Sequence, residues 1–93
     1  RQVMSVCTLC IPRTKDSFTY DDVEMMFEKL KWGIVHNVSI HKKMGYACVF
    51  IKLGWFKSPR VKQFKSLIEE DCVNVVYNFD IYKIVLSRPR KRA

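Results

Sequence analysis

The chain is short of the features that mark membrane, fibrous or repetitive proteins. No apolar run approaches the roughly 18 residues of a helical membrane span, so no such span is expected. Glycine and proline number only three each, no internal repeat is visible, and no signal peptide or targeting segment can be read. The first residue is Arg1 rather than methionine, so a trimmed fragment is expected. Acidic groups are also scarce, with nine Asp and Glu against 17 Lys and Arg, a net charge of +8. Half of that excess lies in Arg88, Arg90, Lys91 and Arg92. Such clusters attract phosphate by counterion release, although they also serve as nuclear-import signals or solubilising ends.

What is present suits one soluble module. Apolar residues make up 48% and charged residues 28% of the 93 positions, which are globular values, and the length allows one core rather than two domains. The four cysteines include Cys7-Thr8-Leu9-Cys10, a C-x-x-C spacing. On a strand, side chains three apart point to opposite faces, so Cys7 and Cys10 cannot converge on one zinc ion. No metal or cofactor is expected, and the cysteines read as free thiols.

Residues 3–11 are apolar and β-branched enough for a strand, which Pro12 is expected to close because it brings no amide hydrogen. A polar loop at 13–17 precedes a helix start, with Thr19 as N-cap, Asp22 near the capping-box position and Phe18 with Val23 as a hydrophobic staple. Val23, Met26, Phe27 and Leu30 share one helical face, and Gly33 is expected to end the helix. A second strand at 34–41 places Val38 and Ile40 inward and Asn37, Ser39 and His41 outward, ending in the basic turn 41–45. The third strand points Ala47, Val49, Ile51 and Leu53 at the helices and Tyr46, Cys48, Phe50 and Lys52 outward, with a connector at 54–57. Ser58-Pro59 starts a second helix carrying Val61, Phe64, Leu67 and Ile68 inward and Arg60, Lys62 and Lys65 outward. Residues 73–77 and 81–87, around the turn 78–80, form a terminal hairpin with Ile84 and Leu86 inward. The order is β-α-β-β-α-β, the split βαβ arrangement. We therefore expect an α+β domain over residues 3–88, with a four-stranded antiparallel sheet and two helices on one face, followed by a basic tail at 89–93.

The stretch Lys43-Met44-Gly45-Tyr46-Ala47-Cys48-Val49-Phe50-Ile51 resembles the RNP1 segment of the RNA recognition motif, whose aromatics stack on bases from the sheet surface. Gly45, Tyr46, Ala47 and Val49 match that pattern, Cys48 and Ile51 depart from it, and Phe50 adds an aromatic beside Tyr46. Val6-Cys7-Thr8-Leu9-Cys10-Ile11 resembles RNP2, with Cys7 where the family carries its stacking aromatic. Ile11-Pro12 and the exit Ser87-Arg88-Pro89-Arg90 also resemble the family, and the likeness covers residues 3–88. A narrower likeness is to uncharacterised RRM-like proteins of nucleocytoplasmic large DNA viruses, of the mimivirus, marseillevirus and chlorella-virus kind. It rests on Ile11-Pro12-Arg13, Phe27 and Leu30 before Gly33, Val49-Phe50-Ile51 followed by Trp55, and Val75-Val76-Tyr77-Asn78 leading to Tyr82-Lys83. This likeness implies an intracellular place of action in a viral factory, an infected nucleus or a virion.

The family's strand order implies an open sheet face that gathers Cys7, Leu9, Tyr46, Cys48, Phe50, Lys83 and Val85, with Cys7 and Cys48 as neighbours. The expected function is binding of RNA or other single-stranded nucleic acid. Tyr46 and Phe50 would stack on bases, while Lys43, Lys52, Lys83, Arg88, Arg90, Lys91 and Arg92 would meet phosphates. The alternative is a protein-interaction, self-association or assembly module, since Cys7, Leu9, Cys48, Phe50 and Val85 would make an apolar patch. Catalysis is not expected. His36 and His41 have no partner group in the local sequence, and Asp21 and Asp22 suit a helix start. Neither a small-molecule substrate nor a membrane is implied.

Overall fold

A computed structural model describes residues 3–87, with side chains from residue 5 onward. Its elements are β1 (Val3–Thr14), α1 (Tyr20–Leu30), β2 (Gly33–Lys42), β3 (Ala47–Phe56), α2 (Pro59–Glu70), β4 (Cys72–Tyr77) and β5 (Asp80–Leu86). All strand pairings are antiparallel, and the strands form one sheet in the order β2-β3-β1-β5-β4. The described residues thus form an α+β fold with two helices and five strands, not the four expected. The terminal hairpin supplies both of its strands to the one sheet. Its turn at Asn78 and Phe79 has two residues with positive φ (51° and 67°), the geometry that lets a two-residue turn match strand twist. A turn that short holds β4 and β5 side by side along their full length, with Cys72 opposite Val85 and Tyr77 opposite Asp80.

The helix starts follow local chemistry. The Thr19 hydroxyl accepts from the Asp22 amide, and the Asp22 carboxylate accepts from the Thr19 amide, so two otherwise unpaired donors are satisfied reciprocally. Ser58 accepts from the Val61 amide ahead of Pro59 at the first turn of α2. The α1 terminus differs from the sequence reading, because Lys31 rather than Gly33 takes the left-handed cap conformation (φ 57°). Gly33 serves β2 instead. A Cβ there would stand 2.0 Å from the Gly54 carbonyl oxygen, so its missing side chain lets β2 and β3 approach.

Register assigns the two sheet faces. Leu9 pairs with Ile51, Ile11 with Val49 and Cys7 with Leu53, while Val38 and Ile40 pair with Ile51 and Val49 from the other side. These residues share a face with Val75, Tyr82 and Ile84 and join one core with Val23, Met26, Phe27, Val61 and Ile68 from the helices. Both helices therefore lie on that face. They touch through the Arg60 guanidinium, which donates to the Leu30 carbonyl (3.2 Å). At one end of the core Trp32 stacks on Trp55 at 5.6 Å and meets Phe64 at 5.2 Å, and the Trp55 indole donates to the Cys7 sulfur (2.8 Å). At the other end Phe18 lies against Tyr77 and Tyr82.

Two further expectations are corrected. Pro12 does not end β1, which continues to Thr14 past a register irregularity after Ile11. Proline is tolerated at such an irregularity because no ladder bond is asked of it. Leu67 is half exposed (52%). At 3.6 residues per turn it lies about 100° round the helix from Ile68, at the margin of the buried stripe.

Candidate nucleic-acid interface

The face away from the helices follows from the same register. Ser39 pairs with Phe50, Phe50 with Cys10, Cys10 with Val85 and Val85 with Cys72, so these five residues form a row across all five strands. Lys52, opposite Thr8 and Asn37, lies on one side of the row. On the other side are Cys48 opposite His41, and Lys83 opposite Asn74. Two exposed lysines thus flank a half-buried apolar centre from opposite sides.

Tyr46 precedes β3 and is half buried. It stands four positions before Phe50, roughly 13 Å along a strand at the usual rise. The Arg13 guanidinium lies over its ring, 4.3 Å from the centroid. That cation–π contact orients the ring and adds positive charge beside it. The Phe50 ring meets His41 edge to face at 5.4 Å and 83°, which leaves it half buried. Lys43 is exposed in the turn that its amide closes onto the Tyr46 carbonyl (2.8 Å), with Gly45 at φ 84°. Arg88, Arg90, Lys91 and Arg92 lie outside the described residues.

The composition of this face differs from expectation at β1. Cys7 and Leu9 face the helices, where Leu9 is fully buried and Cys7 packs against the core. Their places outward are taken by Thr8 and Cys10. The cause is pairing: with Leu9 opposite Ile51, parity turns every odd residue from Cys7 to Ile11 inward. Cys7 and Cys10 consequently sit on opposite faces. Cys48 has Cys10, not Cys7, as its neighbour, with the sulfurs 3.8 Å apart. Burial, then the charge and hydrogen bond of Cys48, push the Cys10 thiol up to about 12.

Arg13, Thr8 and Cys10 are among the members of this surface that sequence reading missed. The signal for Arg13 was its basic charge close to a strand end, hidden because Pro12 was taken as the end of β1. Apolar side chains extend the surface toward the sheet margins, with Val6 49%, Val76 73% and Ile81 71% exposed. Phe79, at the hairpin tip, is fully exposed. Among the described residues no group of three or more Cys, His, Asp or Glu is placed to hold a metal ion. None of their helices is long and apolar enough to cross a membrane.

No protein-family model, curated protein or solved structure matches the chain.

Proposed function

We propose that the chain is a non-catalytic, RRM-like binding module that takes single-stranded nucleic acid, RNA foremost, on its open sheet face. The observation that carries this reading is the pairing of aromatic rings with cations on the sheet face that neither described helix covers. Tyr46 lies under Arg13 and Phe50 sits between the levels of Lys52 and Lys83. Rings so placed offer π faces to unstacked bases, each worth about 1–3 kcal/mol, and the lysines neutralise phosphates. Lys43 adds a further cation, and Arg88, Arg90, Lys91 and Arg92, which lie outside the described residues, add positive charge in the sequence. On the likeness to RRM-like proteins of large DNA viruses, the place of action is a viral factory, an infected nucleus or a virion.

Fluorescence anisotropy with single-stranded RNA, single-stranded DNA and duplex, each at two salt concentrations, tests the proposal. Single strands should bind more tightly than duplex, with a log–log salt slope of about −0.7 per neutralised phosphate. Equal binding of duplex and single strands would leave charge alone as the cause and remove the role of the sheet.

A second reading is favoured by the exposure of Val6, Val76 and Ile81 around the same face. Apolar side chains in this arrangement suit a protein partner or self-association. Sedimentation at two protein concentrations separates it, since an association driven by apolar burial persists at high salt.

A further inference from the structure

The open face carries a dithiol that binding of nucleic acid does not use. Cys10 on β1 and Cys48 on β3 place their sulfurs 3.8 Å apart, in van der Waals contact, and both thiols are free and half buried. They are diagonal neighbours, because Cys10 pairs with Phe50, two residues beyond Cys48. The other two cysteines cannot join them. Cys7 faces the helices, and Cys72 is separated from Cys10 by the intervening strand β5, about 10 Å at the usual strand spacing.

The geometry points to Cys10 and Cys48 as an oxidation site, at which a hydroperoxide converts the two thiols to one internal disulfide tying β1 to β3. In the first step the Cys48 sulfur, as thiolate, attacks one oxygen of the hydroperoxide. The O–O bond breaks, the departing oxygen takes a proton and leaves as water or an alcohol, and Cys48 becomes a sulfenic acid. In the second step the Cys10 sulfur attacks the Cys48 sulfur. The S–S bond forms, the S–O bond breaks, and the hydroxide leaves as water with the Cys10 proton. Two thiols lose two protons and two electrons in all, and the hydroperoxide is the species reduced.

The order of roles follows from the environment of Cys10. Burial holds it protonated, and so do the charge and hydrogen bond of Cys48. Cys10 is accordingly given the second attack, in which its own proton goes to the departing oxygen. Diagonal cross-strand neighbours lie about 7–8 Å apart at Cα, beyond the usual disulfide range, so bond formation takes a shift of the two strands toward each other as well as rotation of the side chains.

The test treats the reduced full chain with hydrogen peroxide, blocks the remaining thiols with N-ethylmaleimide under denaturing conditions, and maps the peptides by mass spectrometry. The expected result is a monomer that has lost two of its four thiols, with Cys10 joined to Cys48 and restored by dithiothreitol. Cys72→Ser should behave as the unaltered chain, whereas Cys10→Ser and Cys48→Ser should form no disulfide within the monomer. A second probe needs no substitution. Phenylarsine oxide loses its oxygen as water on condensing with two adjacent thiols, and it should bridge Cys10 and Cys48 one to one. Retention of all four thiols, mapping of another pair, or failure of the arsenical to bridge these two would overturn the proposal.

Discussion

The two faces of the sheet are made from different materials. On the covered face Leu9, Ile11, Val49, Ile51, Leu53, Trp55 and Ile84 have no exposed surface at all. Across the same strands the open face presents Thr8, Cys10, Cys48, Phe50, Lys52, Lys83 and Val85, all half buried or exposed. The first set answers to one requirement, exclusion of water beneath two helices, and is met by any close-packed apolar side chains. The second mixes rings, thiols and cations in a combination that burial does not call for. Where stability explains a face completely, its residues carry little information about function. The unexplained face is where chemistry should be sought.

The contrast can be broken most directly by removing one ring from each side. Trp55→Ala takes away a fully buried side chain, its stack on Trp32 and its bond to Cys7, and should cost about 3–5 kcal/mol in urea unfolding. Phe50→Ala should cost much less, because that ring is half solvated. Equal losses would mean that the open face is also core, covered by something further.

A smaller effect is expected in binding. Tyr46→Ala should weaken single-stranded RNA by about 1–3 kcal/mol through lost stacking and leave the unfolding midpoint almost unmoved. Replacing Lys52 and Lys83 together by alanine should instead flatten the salt dependence, by about 0.7 in slope per lost phosphate contact. If the tyrosine substitution is silent and only the lysines matter, the face binds by charge and the comparison loses its aromatic half.

The smallest effect concerns the rim of the covered face. Thr19→Ala removes the α1 cap and should cost about 1 kcal/mol. Burial pushes the Asp22 carboxyl up, but the Thr19 amide, the Tyr77 hydroxyl and the Thr19 hydroxyl outweigh it and hold the group below its ordinary value. A carboxyl depressed in the folded state contributes stability that is present above its unfolded pKa and lost as pH falls through its folded one. The stability difference between the unaltered chain and Asp22→Asn should therefore be largest near neutral pH and shrink as the solution is acidified below the ordinary carboxylate range. A difference that stays constant down to the lowest pH at which the chain folds would show that the Asp22 charge contributes nothing to this cap.

Much of the fold was legible in local chemistry. Thr19 and Asp22 announced α1, Ser58-Pro59 announced α2, and the alternation of Ala47, Val49, Ile51 and Leu53 announced the inward face of β3, all of which the structure contains. The candidate surface was only partly legible. Phe50, Lys52 and Lys83 stand on the open face as read, whereas Cys7 and Leu9 exchanged faces with Thr8 and Cys10.

By itself the sequence determined where helices and strands begin, because caps, turns and periodicity act over a few neighbouring residues. It determined the inward side of β3 as well, since only one of its parities is uniformly apolar there. Tertiary structure alone decided the orientation of β1, where Cys7, Leu9 and Ile11 on one parity and Val6 and Cys10 on the other offer two apolar sides. A choice between such sides needs a partner, and pairing of Leu9 with Ile51 beneath the helices made it. The contact between the Cys10 and Cys48 sulfurs and the seat of Arg13 over Tyr46 are consequences of that pairing, joining residues more than thirty positions apart that nothing local brings together.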